Sequence, residues 1–365
     1  MMERTKPKNL IFIIITSTII SIGTYPSVFI KFGGRNTWLI CLISIIIFGI
    51  LLSFILRMLR KDGRYRVLDI SKDVIGTKAS KVVIFIFSLG LLLACIEAAS
   101  VTSNSLHTIL FIETPVWYCL ILFTLTTFYI STKSLSAIIT TICIATPCAV
   151  VSNLYLSILT LKYKTLYYLF PIRMDKSITE YIICGLLFIG SLSSSLVILS
   201  ILHIVVNKNK KGFNKLIMSS YAFACFLIVW ILTGIITGVG PLRASNLYYP
   251  NYILAQRIFY EGIGENGEFF AIVYISFVWI GKYLLAFSSL YILWKKVIQN
   301  KTIFAAIISS IVFIASYFTA RNTYALFVLL KYFQIIFLFT LLIVPISVLI
   351  VFYFKTIKRK NLKNK

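Results

Sequence analysis

Acidic side chains are scarce in this 365-residue chain: Asp and Glu together number 11, against 36 Lys and Arg. Histidine occurs only twice, and charged residues of all kinds make up 13% of the sequence, where soluble domains carry about a quarter. Such a chain cannot clothe itself in a water-facing polar shell. The shortage also bears on chemistry. There is no phosphate loop, no paired zinc-ligand motif and no nucleophile with a base in reach, which points away from an enzyme. No cofactor and no metal are expected. The two histidines, His107 and His203, are isolated and share no ligand spacing. Seven cysteines are present, but all lie within apolar runs without metal-ligand spacing, so they read as small core hydrophobes. Low-complexity tracts, short repeats and ten-residue stretches of alternating polarity are missing too, and their absence excludes solenoids and membrane β-barrels.

What fills the sequence instead is apolar: 59% of residues are hydrophobic and the mean hydropathy is +0.94. A bilayer core about 30 Å thick needs roughly 20 apolar residues per helical span, and runs of that length recur along the whole chain. The fold class expected is an all-α polytopic membrane protein, a single transmembrane domain over residues 1–365. Its helices are placed at about 9–30, 37–59, 82–112, 116–130, 135–161, 178–206, 216–239, 269–294, 303–320 and 332–354. The first run follows Arg4, Lys6 and Lys8 as a signal peptide would, but no small-residue cleavage site comes after it, so it reads as a retained span.

The net charge of +25 would suggest nucleic acid in a soluble protein. Here the basic residues fall in short segments between apolar runs, and no basic face with interleaved aromatics remains, so no nucleic-acid partner is expected. With a cytoplasmic N-terminus, 25 of the 36 basic residues lie inside, including those at 57–81, 208–215 and the tail 355–365, and ten lie outside. This bias sets both termini in the cytoplasm.

Ten spans divide into two sets of five, and an odd number inverts the second set relative to the first. Span 1 is interrupted at Gly23, Thr24, Tyr25 and Pro26, and span 6 at Gly190 and Ser191 within a glycine–serine run. Matched breaks in inverted halves mark a midplane binding site. Pro26 has no amide hydrogen, so backbone groups near Ile22 and Gly23 are released to face a ligand; the alternative is a kinked packing helix. Glu97 sits near the middle of span 3. Lys282 sits near the middle of span 8, twelve residues from Trp294, or about 18 Å along a helix. Each charge costs at least about 2.5–3.5 kcal/mol at the bilayer centre and needs a partner or a wet cavity. The expectation is a structural ion pair, a neutralised Glu97, or contact with a charged ligand or coupling ion.

Several short stretches, in this order, carry a family likeness: Tyr25-Pro26, Gly33-Gly34-Arg35-Asn36-Thr37-Trp38, Val67-Leu68-Asp69-Ile70 with Ile75-Gly76, Glu113-Thr114-Pro115, Tyr168-Leu169-Phe170-Pro171, Phe188-Ile189-Gly190 and Phe277-Val278-Trp279. From about Ile14 to the basic tail the chain resembles the amino acid/polyamine/organocation superfamily, and more closely the B-subunit permeases of spore germinant receptors, the GerAB type. It departs from them in having only Gly23 close before the proline and Ser27 where an arginine would stand. Lys282 also occupies a position where an uncharged polar residue is expected. The resemblance implies a nutrient-binding subunit in the bacterial cell membrane or spore inner membrane. Its ligand would be an amino-acid-like germinant, and its partners an A subunit and a lipoprotein C subunit. A secondary amino-acid transporter is the competing expectation, because sensing and transport use one scaffold. The candidate ligand-binding residues are Gly23, Thr24, Tyr25, Pro26, Glu97, Gly190, Ser191 and Lys282.

Overall fold

In a computed structural model, the described residues are 8–63, 67–205, 213–258 and 267–363. They form helices joined by short connections, with no strand among them. Of the basic residues assigned above, Arg4, Lys6, Arg64, Arg66, Lys208, Lys210, Lys211 and Lys365 lie outside the described residues, as do the side chains of His203, Lys358, Arg359, Lys360 and Lys363.

Helix α1 (Asn9–Thr24) stops because Pro26 cannot donate to the carbonyl of Ile22, and α2 (Ser27–Gly33) resumes after it. Between them Tyr25 takes φ −126° and ψ 60°, outside the helical range, although its amide still reaches Ser21 O at 3.2 Å. Helix α3 (Thr37–Asp62) closes on Gly63, and α4 (Val67–Ile109) runs for 43 residues with a bend at Gly76. The segment read as a connection before span 3 is therefore helical. Its apolar residues Ile70 and Val74 fall four apart and are buried, and the Ser71 and Ser80 hydroxyls meet at 2.5 Å across the bend.

Helices α5 (Val116–Thr132) and α6 (Leu135–Leu159) follow, the second capped by the Ser134 side chain. Helix α7 (Ile178–Ser193) opens on a reciprocal Ser177–Glu180 capping box. The expected break in span 6 takes the form of a tightening rather than a gap, since α7 passes into a 3-10 helix at Ser194–Ser200 before α8 (Leu202–Val205). The hydroxyls of Ser193, Ser194 and Ser195 bond back to carbonyls three or four residues earlier, competing with the regular helical ladder.

Helix α9 (Phe213–Val239) leads through Gly240 into the short α10 (Pro241–Asn246) and α11 (Pro250–Gln256). Helices α12 (Glu268–Trp294), α13 (Lys301–Ala320) and α14 (Thr323–Phe337) follow, and a π-helical turn at Leu338–Ile343 joins α14 to α15 (Val344–Lys363). Among the described residues, eight helical stretches are long and apolar enough to cross a membrane, and Asn9–Thr24 and Val116–Thr132 are shorter apolar helices.

Helix α12 is central, packed on α1, α4 and α6, while α1 also packs along α9. Large aliphatic side chains such as Ile46, Leu125 and Val151 stay more than half exposed on the perimeter, as helices solvated by lipid require. The polar residues turn inward: Glu97, Asn104, Lys282 and Gln334 are all buried. This is a multi-pass membrane protein whose interior is more polar than its rim. The connections at 33–36, 160–177 and 240–258 gather at one end, where α10 lies against α2.

Candidate functional site

Lys282 Nζ on α12 lies 2.5 Å from Glu97 Oε2 on α4, and both side chains are almost wholly shielded, at 2% and 0% exposure. The carboxylate accepts more than this one bond. Tyr25 at the helix break donates its hydroxyl to Glu97 Oε1, Gln334 Nε2 on α14 donates to the same oxygen at 3.1 Å, and Ser21 Oγ donates at 3.4 Å. Gln334 Nε2 also donates to the Tyr25 hydroxyl at 2.9 Å, and Lys282 Nζ to Ser21 Oγ at 3.3 Å. The ammonium sits 5.0 Å from the Trp279 ring centre and 5.2 Å from that of Phe337. Four elements thus converge on one carboxylate.

Local spacing explains the convergence. The carbonyl of Ser21, in the last turn of α1, accepts from the amide of Tyr25, the residue that follows α1, so the two lie one turn apart, and Trp279 and Lys282 are three apart on α12. A buried pair recovers its desolvation cost only when its remaining lone pairs are also satisfied. The three further donors on Glu97 meet that condition.

The sequence-expected residues divide by position. Tyr25, Glu97 and Lys282 come together. Thr24 lies beside them, its hydroxyl accepting from Trp279 Nε1 at 3.1 Å and donating to Ile20 O at 3.0 Å. Pro26 shapes the break and opens α2. Gly23 and Gly190 are places of close protein packing. A Cβ on Gly23 would stand 2.0 Å from the Tyr274 hydroxyl, and one on Gly190 would stand 2.1 Å from the Gln334 carbonyl oxygen. Gly190 therefore touches the cluster indirectly, by letting α7 approach the backbone that carries Gln334. Ser191 is buried, and no hydrogen bond joins it to Glu97 or Lys282 among the described residues.

Reasoning from residues passed over Ser21, Trp279, Gln334 and Phe337. Only Gln334 carried a signal of its own, as a lone amide in the apolar run 332–354. Its Oε1, the Tyr274 hydroxyl, Ser191 Oγ and Ser288 Oγ are buried without a hydrogen-bond partner among the described residues. Each such group costs free energy unless a solute or water engages it.

Above the cluster, toward the end where the connections gather, an aromatic layer intervenes. Phe327 on α14 meets Tyr25 edge-on at 6.4 Å and Tyr249 edge-on at 5.4 Å. The Tyr249 hydroxyl donates to Asn104 Oδ1 at 2.7 Å, and burial pushes its phenol well above the ordinary tyrosine range, so it stays a donor. On the far side of Phe327 lies a cavity of about 140 Å³, bordered by α2, α14 and the 245–248 stretch.

No curated protein matches this chain. Among solved structures it is similar to MhsT in complex with L-phenylalanine, at 14% identity and a TM-score of 0.67 over 97% of this chain and 99% of that one. It is also similar to a Na+-coupled sialic acid symporter in a substrate-bound outward-open state, at 11% identity and a TM-score of 0.60 over 93% of this chain and 79% of the symporter. At such identities the likeness establishes the fold alone, which this chain shares with these two proteins. The pattern that defines the spore germination proteins matches residues 6–325. The chain therefore belongs to the spore germination protein family, with the permease-like membrane architecture of a transporter.

Proposed function

We propose that this protein is the nutrient-binding membrane subunit of a germinant receptor, and that the Glu97–Lys282 cluster beside the break in the first helix is its ligand site. The observation that supports the reading is the pairing of one buried carboxylate with one buried ammonium at that break. An amino acid carries the same two charges. Its ammonium group would compete for Glu97 and its carboxylate for Lys282, while the interrupted backbone at Thr24–Pro26 supplies further polar groups at the same depth. A ligand that prefers one arrangement of the pair shifts the protein toward it, which is the physical content of a receptor signal. The message would pass to an A subunit and a lipoprotein C subunit in the spore inner membrane, with both termini of this chain cytoplasmic and the 240–258 connection external.

The likeness of fold to transporters favours a second reading, in which the solute crosses. One preparation separates the two. The purified protein in lipid nanodiscs is tested for thermal stabilisation by each of the common L-amino acids, and in liposomes for uptake of whichever one stabilises it. Stabilisation without uptake is the expected result; uptake means transport. Failure of every amino acid to stabilise the wild type, or unchanged stabilisation of a Glu97→Gln, Lys282→Met double variant, overturns the site.

A further inference from the structure

The cavity beyond Phe327 has a composition that the central cluster does not use. It holds about 140 Å³, close to the size of an internal cavity that admits a benzene-sized molecule. Lys31 on α2 and Lys331 on α14 line it together with Phe32, Tyr248, Tyr324 and Phe327, and no acidic residue is among its lining residues. Neither lysine forms an ion pair among the described residues. Two carboxylates near the connections at that end are engaged with other bases, Asp175 facing Arg35 at 4.0 Å and Glu180 facing Lys176 at 3.3 Å. Lys331 is half-buried, with Nζ 4.7 Å from the Tyr332 ring centre and 5.9 Å from that of Phe32.

Two ammonium groups on facing elements repel one another, and apolar walls concentrate their field inside the cavity. An anion between them would turn that repulsion into attraction, and the aromatic walls would take up an apolar body attached to it. We infer that this cavity is a second binding site, distinct from the Glu97–Lys282 cluster, for a small carboxylate with a compact apolar or aromatic body, its negative charge held between Lys31 and Lys331. The two sites adjoin without sharing a charged residue. Phe327 stands between them, touching the cavity on one side and Tyr25 on the other. Along α14, Phe327, Lys331 and Gln334 follow at helical spacing, so one face of one helix serves both. The inference does not rest on the receptor reading, because the cavity lies outside the central cluster.

The test uses full-length protein in nanodiscs of zwitterionic lipid, with benzoate and its neutral isostere benzamide as probes, followed by saturation-transfer NMR and calorimetry. Benzoate is expected to bind at least tenfold more tightly than benzamide. Lys31→Gln and Lys331→Gln are each expected to weaken benzoate at least fivefold and benzamide little, with Lys331→Arg retaining most of the affinity. Lys31 is exposed, so its variant reports on binding even if Lys331→Gln proves unstable. The Glu97→Gln, Lys282→Met double variant, which removes the central ammonium without stranding its partner, is expected to leave the carboxylate preference in place. Equal binding of the two probes, or lysine variants that bind benzoate like wild type, overturns the inference. So does a preference that disappears in that double variant, because the carboxylate then depends on Lys282 and occupies the central cluster. Repeating the titration in phosphatidylglycerol discs separates a dissolved carboxylate from a lipid headgroup: unchanged affinity supports the small ligand, and strong competition overturns it in favour of lipid.

Discussion

Glu97 accepts hydrogen bonds from Tyr25, Gln334, Ser21 and Lys282, so each partner carries part of the cost of keeping a carboxylate out of water. Tyr25→Phe deletes one donor and leaves the ring stacked as before. A hydrogen bond to a charged group is worth about 1.5–3 kcal/mol, and the variant is expected to lose stability in that range, read as a lowered unfolding temperature in nanodiscs. Unchanged unfolding would mean that Gln334 takes over the position. The ion pair is tested by a cycle. Glu97→Gln alone or Lys282→Met alone leaves an uncompensated buried partner, at a cost of about 3–5 kcal/mol. The double variant should be closer to wild type in membrane accumulation than the sum of the two single losses. Strict additivity would show that the 2.5 Å contact contributes no coupling.

Two glycines with the same sequence signature differ in what stands opposite them. On Gly190 a Cβ meets the backbone carbonyl of Gln334, which cannot move without α14, whereas on Gly23 it meets the far end of the Tyr274 side chain. Overpacking costs typically about 1–3 kcal/mol, and the backbone clash should fall at the upper end. Gly190→Ala is therefore expected to lower accumulation and ligand binding together, because it drives α7 from α14 and carries Gln334 off Glu97. Gly23→Ala should be milder, and Tyr274→Phe should recover part of its loss, since the hydroxyl removed has no partner among the described residues. Equal effects of the two alanine variants, with no recovery, would mean that the break in α1 rather than its packing sets the cost. The serine run after Gly190 shows how an element-level expectation changes form. Glycine and serine marked an interruption, but whether the chain unwinds or tightens depends on where the hydroxyls bond, and here all three bond backward onto their own helix, Ser194 also donating to Ser17 O on α1.

For the whole molecule, the charge bias predicts orientation. Single cysteines introduced in a background lacking the seven native ones, and labelled from either side of intact cells, should react from the cytoplasm at 57–81 and from outside at 241–258. Labelling of the second stretch from the cytoplasm alone would invert both the topology and the side from which the lysine-lined cavity is reached. The aromatic contacts of Phe327 with Tyr25, Tyr248 and Tyr249 stand between that cavity and Glu97. Phe327, which touches both the cavity and Tyr25, is a contact through which occupancy of the cavity would bias the Glu97 cluster.

The all-α membrane-spanning fold, the breaks in the first and sixth spans and the two charges needing company were legible in the sequence. The reason is that a bilayer imposes local demands: each helix must satisfy its own backbone and show lipid an apolar rim, and a buried charge is conspicuous wherever it falls. Packing decided the rest. Glu97 meets Ser21 across 76 residues, Lys282 across 185 and Gln334 across 237. Which apolar face of each helix turns inward, and at what height, depends on contacts between helices rather than on hydropathy, because an apolar side chain is solvated as well by lipid as by a neighbouring helix. For the same reason sequence alone could not separate a glycine that faces a ligand from one that admits a tyrosine hydroxyl or a neighbouring carbonyl. Nor could it bring Lys31 and Lys331, 300 residues apart in the chain, to the walls of one cavity.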